Sequence, residues 1–412
     1  MKSVVVLALL GFSMVMNERK IIEAIQSATR NVDPYGLTPR GAVKELSELL
    51  RKSGRYDEFD NHCIHTIGTS GAAWTIEEFA QEVVSRAAMV GAEAVLGEVH
   101  SYQATDQVQL QQVLLLHDIH IGEAFTFSNG VRLVDLQDLP ESPLRDSLIR
   151  QRWGSQMGWR IDAVLATDFT VKKDIRTQDK DRANDWSALN EQTTLIKLLD
   201  DTRLLLSLAR HADYGIAALA STTLIPAQLS FVDRGLGYNV FAEPHAAFGP
   251  EIIGFEAQQA DNLIVAFGRL NEETQARVRI ALKRLNDVKI DRNWANKAIN
   301  LRICLENIFL NPEEERQIAR RISERAPGHT GFSKTRARKV YGFLSKAVHT
   351  GETQQHPEIN ERMIAREVQL VLRKIIQDGA YPVWPDTNRY WQSKLPKWLN
   401  RILLRFGIKP GS

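Results

Sequence analysis

The fold is decided by a stretch near the C-terminal end of the chain, Lys339-Val340-Tyr341-Gly342-Phe343-Leu344-Ser345-Lys346-Ala347-Val348-His349-Thr350-Gly351. Its apolar residues recur at steps of three and four, which is typical of an α-helix with one buried face. Tyr341, Ser345 and His349 are four residues apart, so they lie in line on a neighbouring stripe of the same helix. Gly351 stands where a left-handed residue commonly ends a helix. We therefore predict a helix that carries a histidine in its last turn.

A second apolar helix is predicted just upstream, over residues 298–310, and it contains the pair Leu305-Glu306. A further helix over 313–326 and a loop lead from it into the first stretch. Together these elements resemble the HEPN superfamily, and in particular the Apea-like HEPN domains of prokaryotic defence proteins. The resemblance covers roughly residues 255–380, about a third of the chain. The motif residues that carry it are Tyr341, Ser345, Lys346, His349 and Gly351.

The resemblance implies a catalytic site with one member missing. In that family, an arginine and a histidine act together across a dimer and cut RNA without a metal. His349 stands at the position of the histidine, whereas Leu344 stands where the arginine is expected. The chain is therefore expected to be either an inactive copy or one in which another cation replaces the arginine. The candidates for that cation are Lys346, Arg338 and Arg336.

The chemistry explains why these residue types are needed. Cleavage of RNA by its own 2′-hydroxyl requires a group that exchanges protons near neutral pH and a cation beside the phosphate. His349 supplies the first, because histidine is the side chain suited to proton exchange in that range. An arginine would stabilise the charge on the phosphate oxygens, and the loss of one such donor typically costs roughly 10²–10³ in rate. Leu344 can do neither.

We take His349, Ser345 and Lys346 as the candidate catalytic residues, with Leu344, Tyr341 and Glu306 as motif-supporting positions. Ser345 could donate a hydrogen bond to a phosphate oxygen, and the alternative is a hydroxyl on the helix surface. Lys346 could be the phosphate cation, and the alternative is a solvated side chain. For His349, the alternative is a polar residue at the end of a helix.

Eight cations occur within the 24 residues that lead into the motif helix: Arg316, Arg320, Arg321, Arg325, Lys334, Arg336, Arg338 and Lys339. The helix dipole alone would place cations at the end of the helix predicted over 312–325, so half of them have a structural explanation. The other four, Lys334, Arg336, Arg338 and Lys339, lie next to the motif and have no such explanation. We predict that these four bind the phosphates of RNA.

The composition allows two or three domains in 412 residues and is ordinary for a soluble globular protein, with 43% apolar and 25% charged residues. The net charge of +2 excludes a general polycation, so any nucleic-acid contact must come from a local patch. The two cysteines, Cys63 and Cys304, are far apart, form no disulfide framework and suit a reducing compartment. We therefore expect a cytoplasmic protein.

Two groupings contain histidines at short spacing, His62-Cys63-x-His65 and His117-Asp118-x-His120. Neither has a partner cluster at zinc-ligand spacing, so structural or incidental roles are expected for both. The sequence also contains no Walker lysine loop, no Gly-x-Gly-x-x-Gly motif and no Gly-x-Ser-x-Gly motif. We therefore expect no metal and no cofactor.

The two ends of the chain carry apolar segments. Residues 3–16 are an almost unbroken apolar run, without a small-x-small cleavage site and shorter than the ~20 residues that span a bilayer. Three interpretations stay open: the start of a buried strand or helix, a signal or anchor, or upstream sequence before a true start at Met14 or Met16. At the other end, residues 395–406 predict a basic amphipathic helix, which we expect to pack on the protein rather than on a membrane.

We predict an α+β multidomain protein. The predicted parts are a helical N-terminal region over 1–105, a mixed β-rich region over 106–254, an all-α HEPN-like helical bundle over 255–380, and a C-terminal extension over 381–412.

Several local patterns make more detailed predictions. Thr75 is predicted as an N-cap, with Glu78 at the capping-box position, and opens a helix to about Val99. The pair Asn129-Gly130 predicts a type I′ turn in a hairpin over 125–133. The charged segment 172–185 is expected to be an exposed loop. The pair Asn311-Pro312 predicts a helix start.

The function implied by the resemblance is a metal-independent endoribonuclease of an antiviral, abortive-infection or toxin system. It would be a homodimer through the HEPN-like domain, with the two His349 side chains facing each other across a cleft. An infection-derived trigger would act on the N-terminal regions. The alternative is non-enzymatic: a HEPN fold without its arginine would serve as a dimerising or RNA-binding scaffold. A membrane-attached factor is the more remote alternative.

Overall fold

The computed structural model describes residues 18–30, 40–60, 63–67, 70–117, 119–142, 145–149, 163–177, 187–211, 213–232, 239–240, 251–350 and 359–384. The chain divides into two compact units. Unit 1 comprises Met1–Arg203, Ala218–Glu243 and Pro250–Gly254, and unit 2 comprises Leu204–Ala217, Pro244–Gly249 and Phe255–Ser412. The predicted α+β class is confirmed, with helices at both ends of the described chain and an antiparallel sheet between them.

Unit 1 contains helices and all of the described strands. The helices are α1 (residues 18–30), α2 (Arg40–Ser53), α3 (Ile76–Val90), α4 (Ala92–Ala104), α5 (residues 145–149) and the first part of α6 (Ser187–Ala209). The strands are β1 (Cys63–Ile67), β2 (Ser70–Ala73), β3 (Gln107–Leu116), β4 (Phe125–Thr126), β5 (Arg132–Asp135), β6 (Ala163–Lys172), β7 (Asp174–Thr177), β8 (Ala218–Leu224) and β9 (Asn239–Val240).

Six of these strands form one antiparallel sheet, in the order β4-β5-β6-β3-β8-β9. The long strand β3 is buried on both faces from Leu110 to its end. Val108 and Leu110 pack into a core with the N-terminal helices, and Val113 and Leu115 pack into a second core. Burial on both faces explains why the second half of β3 is an unbroken apolar run rather than an alternating one.

The sequence predicts a helical N-terminal region, but the structure also contains strands there. Within the described residues, β1 pairs with β2 on one side and with β7 on the other, forming a three-stranded antiparallel sheet. The prediction of an exposed loop over 172–185 is therefore wrong over Asp174–Thr177, which forms a strand. Residues 178–186 lie outside the described part. Strands of four or five residues show too little periodicity to be recognised, and the partner of β7 is remote in sequence.

The capping box at Thr75 is confirmed. Its Oγ1 accepts a hydrogen bond from the Glu78 amide at 3.2 Å, and Glu78 Oε2 accepts one from the Thr75 amide at 2.9 Å. The single helix predicted from there to Val99 is instead two helices, because Gly91 has a φ of 94° between α3 and α4. Glycine adopts this backbone conformation without the penalty that a Cβ would bring.

The hairpin over 125–133 is confirmed, but its turn is not of type I′. That turn needs a positive φ at both central residues. Gly130 has a φ of 83°, but the φ of Asn129 is not positive, because Gln317 is the one non-glycine residue with a positive φ in the described part of the chain. The Gly130 amide donates to the Phe127 carbonyl at 2.9 Å, and Asn129 Oδ1 accepts from the Val131 amide at 3.2 Å. Asn129 thus stabilises the turn through its side chain.

Unit 2 is all-helical over its described residues. Its helices are α7 (Gly254–Gly268), α8 (Glu272–Ile290), α9 (Trp294–Phe309), α10 (Ile318–Arg325), α11 (Lys334–Thr350) and α12 (Glu361–Asp378), together with the end of α6. The motif helix predicted from the sequence is α11. Gly351, its predicted stop, lies outside the described residues.

Helix α10 begins at Ile318, so the helix start predicted at Pro312 is wrong. The Asn311 amide donates to Glu314 Oε2 at 2.9 Å, and Glu314 also accepts hydrogen bonds from two arginines of α10. Residue Gln317, just before the helix, has a left-handed backbone with a φ of 55°. The long-range hydrogen bonds of Glu314 therefore override the local signal of the Asn-Pro pair.

The end of α6 is held by cations from two other helices of unit 2. Lys289 Nζ donates to the Ser207 carbonyl at 2.6 Å, and Arg373 Nη2 donates to two further carbonyls of α6 at 2.6 and 2.8 Å. The last carbonyls of a helix have no partner within it and form the negative end of its dipole. Burial, together with the charges of Arg373 and Arg210, lowers the pKa of Lys289 to about 7.

None of the helices in the described residues combines the length and the apolar character needed to cross a membrane. The apolar run over 3–16 and the helix predicted over 395–406 both lie outside the described residues.

Candidate nucleic-acid interface

Five residues of α11 are buried: Ala337, Val340, Tyr341, Leu344 and Ala347. Their steps of three and four place them on one side of the helix. Leu344, which stands where the resemblance expects the catalytic arginine, is 0% exposed. A guanidinium at this position would be desolvated on the apolar side of the helix, which is costly for an unpaired charge. The position therefore supplies no cation to the surface, and a Leu344→Arg variant would test folding rather than catalysis.

Tyr341 and Glu306, the two polar residues predicted to support the motif, are in contact. Tyr341 Oη donates to Glu306 Oε1 at 2.6 Å, and Arg302 Nε donates to the same oxygen at 2.7 Å. Burial and the hydrogen bond to Glu306 raise the pKa of Tyr341 to about 12, so its hydroxyl stays protonated and remains a donor. The cluster joins α9 to α11. Sequence reasoning missed Arg302, although its spacing of four residues from Glu306 is the signal of a helical ion pair.

The opposite side of α11 is basic and exposed. At 3.6 residues per turn, an arc of about 140° contains four cations and a histidine. These five exposed residues, which we call the basic face, are Lys334, Arg338, Lys339, Lys346 and His349. The sequence of α11 contains no Asp or Glu. Thr335, Gly342 and Ser345 lie within the same arc.

The three predicted catalytic residues lie at one end of the basic face. His349 is in the last turn of α11, and Ser345 and Lys346 precede it by four and three residues. Residues at these spacings are neighbours on a helix surface, with Cβ atoms about 5–6 Å apart. Lys346 and His349 are exposed, while Ser345 is half-buried. Helical spacing thus places a hydroxyl and a cation beside the imidazole.

Arg336, also predicted to bind RNA, does not lie on the basic face. Its Nη2 is 2.8 Å from Met363 Sδ on α12, and its guanidinium carbon is 5.9 Å from the centroid of the Phe332 ring. Of the four cations predicted to bind RNA, the structure therefore brings three together, namely Lys334, Arg338 and Lys339.

Two of the three arginines of α10 stabilise the fold. Arg321 and Arg325 are buried and both donate to Glu314, with Arg325 at 2.5 and 2.8 Å. Burial alone would raise the pKa of Glu314, but hydrogen bonds from Arg325 and the Asn311 amide hold it below its usual value. Arg325 also donates to the Phe309 carbonyl at 2.7 Å. These cations are thus occupied by partners within unit 2.

The described part of the chain contains no group of three or more His, Cys, Asp or Glu side chains that could hold a metal ion. His62 and Asp118, which belong to the two histidine groupings of the sequence, lie outside that part. The expectation of a site without metal or cofactor therefore stays a prediction.

Comparison with family models, with curated proteins and with solved structures finds no match for this chain. The HEPN resemblance accordingly depends on the motif residues of the sequence alone.

Proposed function

We propose that this chain binds RNA through the basic face of α11 and cleaves it there without a metal, as an HEPN-like ribonuclease of a prokaryotic defence or toxin system. The observation that carries the proposal is the basic face itself. Four exposed cations accompany His349 on a helix without a single carboxylate. A helix face that is merely solvated usually mixes both signs of charge, whereas a face of one sign suits the phosphates of a nucleic acid.

In the proposed reaction, the 2′-oxygen of a ribose attacks the adjacent phosphorus and the bond from phosphorus to the 5′-oxygen breaks. The products are a 2′,3′-cyclic phosphate and a 5′-hydroxyl. One group takes the proton of the 2′-hydroxyl, and another gives a proton to the departing 5′-oxygen. His349 performs one of these transfers. In the homodimer that the resemblance implies, the His349 of the second copy performs the other.

Lys346 takes the role of the arginine that the family pattern expects. Its ammonium group lies one turn from His349 and stabilises the charge on the phosphate oxygens. A lysine binds phosphate as a point charge and lacks the forked geometry of a guanidinium, so slower cleavage than in an arginine-containing site is expected. Ser345 donates a hydrogen bond to the same phosphate.

A second candidate is an RNA-binding scaffold without catalytic activity. The observation that favours it is the complete burial of Leu344, which leaves the expected arginine position without any group that contacts RNA. Under this alternative, the basic face binds RNA and His349 has no chemical role.

The test is a cleavage assay on a labelled single-stranded RNA in EDTA, with the full chain and the variants His349→Ala and Lys346→Gln. We expect His349→Ala to lower the cleavage rate roughly 10²–10⁴-fold, the usual contribution of a general acid or base. Lys346→Gln should lower it at least about tenfold through the loss of an electrostatic donor. His211→Ala is the matched control, since His211 is a histidine of the same unit that is 70% exposed and pairs with Asp213 at 3.5 Å.

The outcomes separate the two candidates. Cleavage that survives in His349→Ala would exclude catalysis by this residue. RNA binding without cleavage by the unaltered chain would favour the scaffold. The homodimer, the cytoplasmic location and an infection-derived trigger acting on unit 1 are further parts of the proposal, and light scattering of the purified chain tests the first of them.

A further inference from the structure

A groove lies between α10 and the start of α11. Its volume is about 620 Å³, and its lining includes Gln317, Arg320, Glu324, Lys334, Thr335 and Arg338. This volume falls in the range of roughly 300–1,000 Å³ that is typical of sites for small ligands or parts of larger ones. Two members of the basic face, Lys334 and Arg338, thus also line a concave surface.

The groove is positively charged. Three cations and one carboxylate line it, a formal net charge of +2. The carboxylate, Glu324 Oε1, lies 3.1 Å from Arg320 Nε and 3.7 Å from Lys334 Nζ. Arg338 is exposed and forms no ion pair or hydrogen bond with any residue that the structure describes. Its guanidinium is therefore available to an anion that enters the groove.

The backbone at one wall of the groove is strained. Gln317 has a φ of 55° and a ψ of 31°, a left-handed conformation that is unfavourable for a residue with a Cβ. Its Oε1 accepts a hydrogen bond from Arg320 Nη1 at 3.3 Å, which orients that arginine at the groove. Residues held in such conformations occur preferentially at ligand sites.

Gly342 lies between the groove and His349 on the exposed side of α11. A Cβ at this position would meet no atom within 4 Å, so packing within the described chain does not require a glycine here. A glycine in a helix interior makes the helix less stable than an alanine would. Glycine does allow another backbone to approach a helix closely.

We propose that the groove anchors one phosphate of the RNA and that the strand runs from there across Gly342 to His349. This inference rests on the proposed function and specifies the path of its substrate. Arg338 and His349 are eleven residues apart, about 16 Å along the helix axis. The path therefore corresponds to about five stacked nucleotides at 3.4 Å each, or fewer in an extended strand. An RNA shorter than this path cannot contact Arg338 and His349 at the same time.

A second copy of the chain is the other occupant that a glycine-centred helix face could receive. A symmetric contact centred on Gly342 would place the basic faces of both copies against each other. Four cations from each side, without a carboxylate in either helix, would then repel one another. A polyanion between the two faces relieves this repulsion, so the charge favours RNA against the basic face, with the second copy of the proposed homodimer on the far side of the strand.

The first experiment measures the binding of a labelled 2′-O-methyl RNA 12-mer, which cannot be cleaved by 2′-hydroxyl attack, to the full chain by fluorescence anisotropy. We expect Arg338→Gln to weaken binding roughly tenfold and to lower the slope of log K against log salt concentration by about 0.7, the value for one phosphate contact on a single strand. Arg336→Gln is the matched control, because it removes the same charge two residues away but off the basic face, and it should change neither quantity. Equal losses in both variants would overturn the groove contact.

The second experiment uses Gly342→Ala. Because alanine is the better helix former, we expect a higher melting temperature together with RNA binding weakened at least about threefold. A merely structural role of Gly342 would not give these opposite effects. Higher stability with unchanged binding would overturn the proposed path. An altered oligomeric state with unchanged RNA binding would assign the glycine to contact between copies and would also overturn it.

A 2′-O-methyl dinucleotide should bind more weakly than the 12-mer, because it cannot contact the groove and His349 at the same time, and equal affinity of the two would overturn the proposed path. Failure of the proposed function looks different from failure of this inference: in the first case the unaltered chain does not bind the 12-mer at all. In the second case it binds, but without dependence on Arg338 and Gly342.

Discussion

Helices α10 and α11 follow each other in the chain, and both are rich in cations. In α10, Arg321 and Arg325 are buried and share the carboxylate of Glu314. In α11, the cations of the basic face are exposed on a helix without a carboxylate. The count of positive charges does not separate the two helices. What separates them is the angular position of each cation relative to the buried stripe and the presence of a largely buried acid, Glu314, that pairs with the arginines of α10.

The largest effect is expected from removing the acid of α10. Glu314→Gln leaves Arg321 and Arg325 buried without a counter-charge, and such a loss typically lowers the free energy of unfolding by about 3–5 kcal/mol. Chemical denaturation of the variant and the unaltered chain measures this difference in the free energy of unfolding. Glu324→Gln is the control, because Glu324 pairs with the half-exposed Arg320 and should cost less than about 1 kcal/mol. Similar losses in both variants would mean that burial does not distinguish the two sets of cations.

Lys289 is intermediate between the arginines of α10 and the cations of the basic face, because it is buried but its partner is a carbonyl rather than a carboxylate. Its pKa is about 7 in the folded chain against an ordinary value of 10.5, so between these values the unfolded chain binds more protons. The free energy of unfolding should therefore rise with pH, by about 1.5 kcal/mol from pH 7 to 8.5. Burial raises the pKa of the Cys304 thiol, which acts in the opposite direction above about pH 9 and sets the upper limit of this window.

Denaturation of the full chain at several pH values checks this dependence. Lys289→Met removes the titrating group and should flatten the rise in stability, whatever its effect at any single pH. A rise of the same size in Lys289→Met would assign the dependence to another group.

The smallest effect concerns the hydrogen bond between α9 and α11. Tyr341→Phe removes the 2.6 Å hydrogen bond to Glu306 and should lower the free energy of unfolding by about 1 kcal/mol. RNA binding should not change, because Tyr341 lies on the buried side of α11. In a Glu306→Ala background, Tyr341→Phe should cost little more, since the hydrogen bond that it removes is already absent there. Full additivity would mean that the two residues stabilise the chain independently.

Local signals in the sequence were sufficient where neighbouring residues decide the structure. The periodicity of α11 and the capping box at Thr75 depend on residues within a few positions of each other, and both were predicted. Leu344 belongs to the apolar stripe that periodicity predicts, and it is buried for that reason. The arginine expected there came from the resemblance, which carries no information on which side of this helix is buried.

Predictions failed where distant residues override a local preference. Pro312 does not start a helix, because Glu314 is engaged by two arginines from the next helix. Strand β7 was missed, because its partner β1 lies far away in sequence. In the candidate site, the RNA-binding cations were predicted from their density before the motif, although Arg336 lies off the basic face. The groove was not, since it exists only once α10 packs beside α11.

The hydrogen bonds from Lys289 and Arg373 to the end of α6 limit how the protein can be divided into fragments. Residues 204–217 belong to unit 2, although unit 1 contains the residues on both sides of them in sequence. A fragment that begins at residue 255, where the sequence predicts a domain boundary, would lack the carbonyls that Lys289 and Arg373 engage. Both cations would then lose their partners, and the fragment would be less stable than its helix content suggests. The activity of α11 is therefore best measured on the complete chain, because the helical unit is not contiguous in sequence.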